Sequence, residues 1–385
     1  MEGLLGNAMF TGIINFTLIL INLMVVTVMW QKAGVPFNGA YTAVVLGSLV
    51  GTLLAAYYKV AVAVAPGIVI NSFLCYDLVI CQGYTWQETM TVPVVAGLLL
   101  LLCQYNNIWG RVMAVLPAYL KTAVPASMGV LLIYKGLLMG RLVVGTPFQV
   151  TGMGSIYDPL TVITLISLLA VLCFSGRGRE QGLAIGLLAA GTMALAEGYV
   201  ALPQYLFSVP EGFTDTAFQV NGGKAVELLA AVAAVWLVLA FDAMAAAKTM
   251  EVNDGRLFFI NGLGTLMGGL LSGGAMTVAE VSAACGRWSK KPVKSSMITA
   301  ILLLVVLFCG PMMMELRDYP SVFAASVIGA GCYLLMDLKF LPINDNISIL
   351  AGVFTIVLVP LWGSLTAGIG FGLILYYGLS MMRGR

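Results

Sequence analysis

Apolar stretches of about 18 or more residues recur along this chain, and each is long enough to cross a bilayer as a helix. Only helices and closed barrels satisfy every backbone group in lipid, and these continuous runs lack the alternation of barrel strands. Composition agrees, with 60% of residues hydrophobic and 9% charged, against the ~25% charge of an ordinary soluble domain. The expected fold class is all-α integral membrane, a multi-pass protein embedded in a lipid bilayer. A net charge of +2 carries no electrostatic footprint for nucleic acid, which is not expected as a partner. The 7 cysteines lie mostly inside apolar segments without CxxC spacing and read as small hydrophobes. There is no histidine, so His-based catalysis and metal binding are excluded and proton chemistry falls to carboxylates. No cofactor is expected. The first apolar segment is too long, and too poor in basic residues at its start, for a cleavable signal.

The runs lie near 9–30, 40–58, 60–77, 89–104, 116–138, 159–174, 182–199, 225–247, 258–271, a short segment around Glu280, 298–314, 322–336, 347–362 and 365–381. That is about fourteen spans. A Pro-containing loop at 202–223, with Glu211 and Asp215, divides the chain into a first repeat over 1–205 and a second over 224–385. An odd number of spans in each half makes the halves inverted. With both termini cytoplasmic, the even-numbered loops collect Lys59, Arg111, Arg177, Arg179, Lys248, Arg256, Arg287, Lys290, Lys291, Lys294 and Lys339, and the tail adds Arg383 and Arg385. The odd-numbered loops hold mainly Lys32, Arg141 and Arg317. That asymmetry is the positive-inside bias, expected for a protein of the inner (plasma) membrane.

Two acids stand where acids are expensive. Asp242 ends an apolar run, and Glu280 follows Ser272-Gly-Gly-Ala-Met-Thr-Val-Ala. A carboxylate at membrane depth costs at least ~2.5 kcal/mol, so each faces a cavity or a partner; the plainer alternative is that it neutralises a nearby cation. Two segments at corresponding positions of the halves are interrupted, at Ala65-Pro66-Gly67 and at Ser272-Gly273-Gly274. Alternating Val and Ala from Val60 suits a short extended piece, and Pro66-Gly67 then suits the first turn of a helix. Such interruptions point to a transporter site at the bilayer midplane.

These residues also resemble a known family, the nucleobase:cation symporters (xanthine/uracil permeases), and within it the AzgA-like purine permeases. Ala65-Pro-Gly-Ile-Val-Ile-Asn-Ser-Phe resembles the family's APGMGLNAF, and Gly83-Tyr-Thr-Trp-Gln its GYSWQ. Phe241-Asp-Ala resembles FDT in the eighth span, Val278-Ala-Glu resembles YIE in the tenth, and Asp345 to Leu379 follows the family's ending. The resemblance implies two inverted seven-helix repeats, with spans one to four and eight to eleven as a core and the rest as a gate. It places substrate between the half-helices of spans three and ten, against span eight. The matching substrate-binding residues are Glu280, Asp242, Asn71, Thr277, Ala65, Gly67 and Ser72, with Asp242 and Glu280 also carrying proton coupling. A helix–helix hydrogen bond is the competing use of the Asn71 amide, and Asp345 has a less direct role. The chain departs from the pattern at Leu239, which replaces an acid, at Ala243-Met-Ala-Ala-Ala, at Gly273-Gly-Ala-Met-Thr277 and at Val26-Thr27. Several hydroxyls that would meet a purine edge are absent, leaving room for a larger or less polar ligand.

The expected function is secondary active uptake of a nucleobase, such as guanine, hypoxanthine or adenine, coupled to protons by alternating access. An ionised carboxylate accepts two hydrogen bonds from adjacent N–H donors of such a base. Sodium is the alternative coupling ion, and another small solute, a different heterocycle or an anion, is the alternative cargo. An anion site would centre on basic charge, a channel would need a continuous polar lining, and an enzyme a nucleophile–base pair; none of these patterns is present. The protein is not expected to be an enzyme, and assembly as a homodimer stays open.

Overall fold

The computed structural model describes residues 2–106, 117–145, 151–175, 179–200, 216–252, 255–287, 289–311, 319–335, 345–362 and 365–383, with isolated residues between them. Arg177, Glu211, Asp215, Arg317, Lys339 and Arg385 lie outside the described residues. In chain order the elements are α1 (Glu2–Lys32), α2 (Phe37–Tyr57), β1 (Val64–Pro66), α3 (Ile68–Ser72), a π-helical segment (Phe73–Cys81), α4 (Trp86–Thr89) and α5 (Thr91–Tyr105). There follow α6 (Leu120–Met139), β2 (Val143–Val144), β3 (Gly152–Met153), α7 (Pro159–Phe174), α8 (Arg179–Ala196), α9 (Leu229–Thr249) and α10 (Arg256–Leu270). The last are β4 (Met276–Val278), α11 (Glu280–Gly286), α12 (Pro292–Val306), α13 (Ser321–Leu335), α14 (Asn346–Trp362) and α15 (Leu365–Arg383).

Among the described residues, five helices are long and apolar enough to span a membrane, at 8–32, 37–57, 86–105, 122–139 and 229–249, and further apolar helices are 10–17 residues long. Start signals explain several boundaries. Thr85 and Glu88 form a reciprocal capping box at α4, with Glu88 N to Thr85 Oγ1 at 3.3 Å and Thr85 N to Glu88 Oε2 at 2.9 Å. Asp158 caps α7, whose first residue is Pro159. Pro292 opens α12 six residues ahead of the start expected near residue 298, with Lys291 as its N-cap and Lys294 inside its first turn.

The chain divides into two compact units. The first comprises Met1–Val115, Leu202–Ala247 and Val252–Asp318; the second comprises Leu116–Ala201, Lys248–Glu251 and Tyr319–Arg385. In the second unit α6 packs along α13, α7 and α8 pack on each other and on α13, and α14 packs on α15 and α6. Close crossing there depends on small residues: a Cβ at Gly129 would meet Gly331 O at 2.8 Å. Ser326 Oγ donates to Leu183 O at 2.8 Å, fixing α13 to α8. Asp345, expected to act only indirectly, caps α14: Ile347 N and Ser348 N donate to its carboxylate at 3.3 and 3.2 Å.

In the first unit α1 and α2 pack on α12, and α10 packs on α5 and α2. At its centre β1 pairs antiparallel with β4, in the register Val64↔Val278, Ala65↔Thr277 and Pro66↔Met276. Each strand runs straight into a helix, β1 into α3 and β4 into α11. Because the strands are antiparallel, the two helices leave the sheet at opposite ends. This is the local geometry expected where two inverted segments meet.

Candidate functional site

The sheet carries extended backbone through the middle of an apolar helical unit, so its N–H and C=O groups need partners that helices supply to themselves. Pairing between the strands satisfies only some of them. Side chains of fully buried Ser, Thr and Asn residues satisfy others. Val64 N donates to Thr52 Oγ1 at 3.0 Å and Ala63 N to Ser282 Oγ at 2.6 Å. Ser296 Oγ donates to Val60 O at 2.7 Å. On the other strand, Thr265 Oγ1 donates to Met276 O at 2.5 Å, and Val278 N donates to Asn261 Oδ1 at 2.8 Å.

The first interruption lies slightly later than the sequence suggests. Pro66 ends the strand rather than opening a helix, because Gly67 N donates to Ala275 O at 3.1 Å and so prolongs the pairing by a residue. Gly67 then caps α3 in an extended conformation. The second interruption also shifts. Ser272 (φ 67°) and Gly274 (φ 81°) form the left-handed turn that leads into β4, whereas the helix restarts only at Glu280. A Cβ on Gly274 would collide with Asn71 Oδ1 and with Trp30 Nε1, so glycine is required there both by conformation and by close approach.

Asn71 is fully buried between the two segments, and its amide is completely engaged. Nδ2 donates to Gly67 O and to Ala275 O, both at 2.8 Å. Oδ1 accepts from Ala275 N at 3.1 Å and from Trp30 Nε1 at 3.3 Å. Two donors and two acceptor sites are thereby used, the full capacity of a carboxamide. The amide acts as a further rung of the sheet, clamping α3 to the turn before β4. Of the two uses expected for this residue, the geometry is that of the hydrogen bond between segments.

The other expected site residues separate into groups. Ala65 and Thr277 face each other in the strand register, both buried. Gly67 lies beside them, where a Cβ would meet Thr277 Cγ2 at 3.4 Å. Ser72 is half-buried and turns its hydroxyl back to Val69 O at 2.8 Å, within its own helix. Asp242 is half-buried on α9. Glu280 is the first residue of α11, and its side chain lies outside the described residues.

Asn261, which the sequence reading did not single out, connects the two acid-bearing elements. Its Nδ2 donates to Leu239 O at 3.3 Å, one turn before Asp242, while its Oδ1 holds Val278 N, two residues before Glu280. The available signal was an Asn inside the Gly-rich apolar run 258–271.

No family model matches the chain. It is similar to curated transport proteins over most of its length. A putative permease of Methanocaldococcus jannaschii is 22% identical over 92% of this chain and 84% of its own. The guanine/hypoxanthine permease PbuO of Bacillus subtilis is 22% identical over 97% and 91%. The nucleobase transporter PlAzg2 of Paenibacillus larvae is 23% identical over 89% and 71%. Among solved structures, the transmembrane domain of the cyanobacterial bicarbonate transporter BicA superposes with a TM-score of 0.58 at 16% identity, covering 96% of this chain and 97% of that one. SLC26A9 superposes with a TM-score of 0.55 at 11% identity, covering 99% and 65%. These likenesses give the fold, that of a multi-pass transporter membrane domain. The resemblance drawn from the motifs is borne out: this chain is a permease-like membrane protein, not an enzyme, similar along nearly all of its length to curated purine and nucleobase permeases.

Proposed function

We propose that the protein is a secondary active transporter that imports a nucleobase, a purine such as guanine, hypoxanthine or adenine, by alternating access coupled to protons. The observation that carries this is the strand–helix junction, a paired break in the membrane-embedded unit with both acid-bearing elements joined to its second strand. Glu280 opens the helix after β4, and Asp242 is anchored to the same strand through Asn261. Carboxylates there suit the adjacent N–H donors of a purine. The relatives named for guanine, hypoxanthine and nucleobases support the same cargo. The acids argue against anion cargo, although the superposing structures include a bicarbonate transporter.

In this reading substrate meets Thr277, Gly67 and the backbone of Ala65 at the junction, Glu280 accepts its N–H groups, and Asp242 binds and releases the coupling ion. Asn71 positions the junction, and Ser72 borders it. The full account includes about fourteen spans in two inverted repeats, 1–205 and 224–385, with core and gate domains and both termini cytoplasmic in the plasma membrane. Cross-linking in the membrane reads whether it works as a homodimer.

The test is uptake into proteoliposomes of purines, pyrimidines and small anions, with proton and sodium gradients imposed separately. Purine uptake driven by a pH gradient is expected. Transport of anions and no nucleobase would overturn the proposal. Glu280→Gln should abolish purine binding, and Asp242→Asn should uncouple uptake from the pH gradient, both in folded protein. Full activity in both variants would remove these acids from the mechanism.

A further inference from the structure

A cleft of about 540 Å³ opens in the first unit, lined by Thr85, Gln87, Phe218, Gln219 and Asn221 among others; its loop is tied to the turn before β4, where Ser272 Oγ donates to Thr216 O at 2.6 Å. It lies where the stretch before α4 meets the end of the loop that divides the chain. Both belong to odd-numbered loops, and so fall on the same side of the membrane, the outer one in the positive-inside reading. They are held rigidly together. Asn221 N donates to Gln87 O at 3.0 Å, and Thr91 Oγ1 donates to Asn221 O at 2.9 Å. Lys224, two residues beyond Gly222 of the lining, makes an ion pair to Glu88 at 3.3 Å while lying 5.1 Å from the centre of the Tyr84 ring.

Phe218 at the lip is the unusual residue. Its φ is +60°, a left-handed conformation that is an outlier for a bulky side chain, yet its ring is not buried: the residue is 67% exposed. Other left-handed non-glycine residues have a local reason. Lys59, Arg141 and Glu251 each end a helix, where that conformation commonly caps. Phe218 ends none. Its backbone N–H is fixed to Leu270 O at 2.8 Å, so the strain is held in place and presents an aromatic face to solvent beside the carboxamides of Gln87 and Gln219. An aromatic face that stacks a base, with carboxamides whose donor and acceptor match a purine edge, makes a recognition set for a planar nitrogen heterocycle.

We propose that this cleft is an outer capture subsite, in which Phe218 stacks the incoming heterocycle and Gln87 and Gln219 hydrogen-bond its edge before it moves to the junction. The ligand class rests on the nucleobase reading above; the cleft and its strain do not. The full-length protein in right-side-out vesicles serves for the test, with Val220→Cys, in the cleft lining but outside the proposed contacts, introduced in a Cys81→Ser background to remove the exposed native thiol nearby. Guanine, hypoxanthine and adenine should slow labelling of the introduced thiol by a membrane-impermeant maleimide. Protection should persist when Asp242→Asn is added, since the cleft binds independently of the junction. Phe218→Gly relieves the strain, because glycine adopts positive φ freely, and so removes the ring without penalising the fold. It should raise the KM for uptake about tenfold, as expected for one lost stacking contact, with a smaller effect on maximal rate. Absence of protection by any purine overturns the subsite, as does protection that vanishes with Asp242→Asn. An unchanged KM in Phe218→Gly, with only weaker anchoring in lipid, also overturns it and makes the ring an interfacial anchor. Protection without any nucleobase uptake would uphold the subsite and fail the transport proposal instead.

Discussion

The two interrupted segments solve the same problem with different resources. Each leaves a short extended strand in a membrane-embedded unit and restarts as a helix. Each borrows a threonine from the helix just before it: Thr52 of α2 serves Val64, and Thr265 of α10 serves Met276. Beyond that pair they diverge. The first segment is extended over a longer stretch and draws on Ser282 and Ser296 from the other half of the chain. The second is served by its own preceding helix through Asn261 and by the carboxamide of Asn71 from the first segment. The first segment thus supplies the clamp, and the second supplies the acid. Holding the site and charging it are divided between the halves.

The largest effect should come from breaking the clamp. Asn71→Leu leaves Ala275 N and Trp30 Nε1 without partners, while Gly67 O and Ala275 O each keep one backbone donor, and should cost about 3 kcal/mol at ~1–3 kcal/mol for each buried group left unpaired. Thermal unfolding in detergent measures this, and a loss under about 1 kcal/mol would mean that strand pairing alone holds the junction. Gly274→Ala comes next. It forces a side chain into a left-handed turn and against Asn71, and should destabilise by about 2 kcal/mol. Retained stability there would show that the turn can shift without loosening the clamp. The matched pair should have the smallest effect. Thr52→Val and Thr265→Val keep shape but remove one hydrogen bond each, at about 1 kcal/mol apiece. Equal losses support the parallel between the segments, whereas a loss at one position alone breaks it.

Much of this was readable from one dimension. The long apolar runs announce helices because lipid offers no other way to satisfy a backbone. The alternation from Val60 and the Pro66-Gly67 pair announce a strand followed by a helix; the helix starts within two residues of Pro66, whereas the paired strand begins only at Val64. The second interruption was read at its glycines, since Ser272-Gly-Gly is the visible signal. Those glycines make the turn, however, while Met276-Thr-Val is a strand only because Val64-Ala-Pro lies beside it. A three-residue strand has no periodicity of its own to detect.

The site residues divide on the same principle. Asp242 and Glu280 stood out because a charge in an apolar run is costly wherever the chain folds. Thr52, Asn261, Thr265 and Ser282 did not, because a lone hydroxyl or amide in an apolar helix is ordinary until its partner is known. Asn71 was identified by position, but its role turned on whether its amide had capacity left, which depends on Gly67, Ala275 and Trp30 meeting it from three segments. The sequence by itself determined that the chain lives in a bilayer, where it breaks, and which acids are out of place, because those are costs set by the solvent. Which polar groups answer the breaks is a matter of tertiary structure, because a hydrogen bond joins residues irrespective of chain order, from 12 positions apart for Thr52 and Val64 to 204 for Asn71 and Ala275.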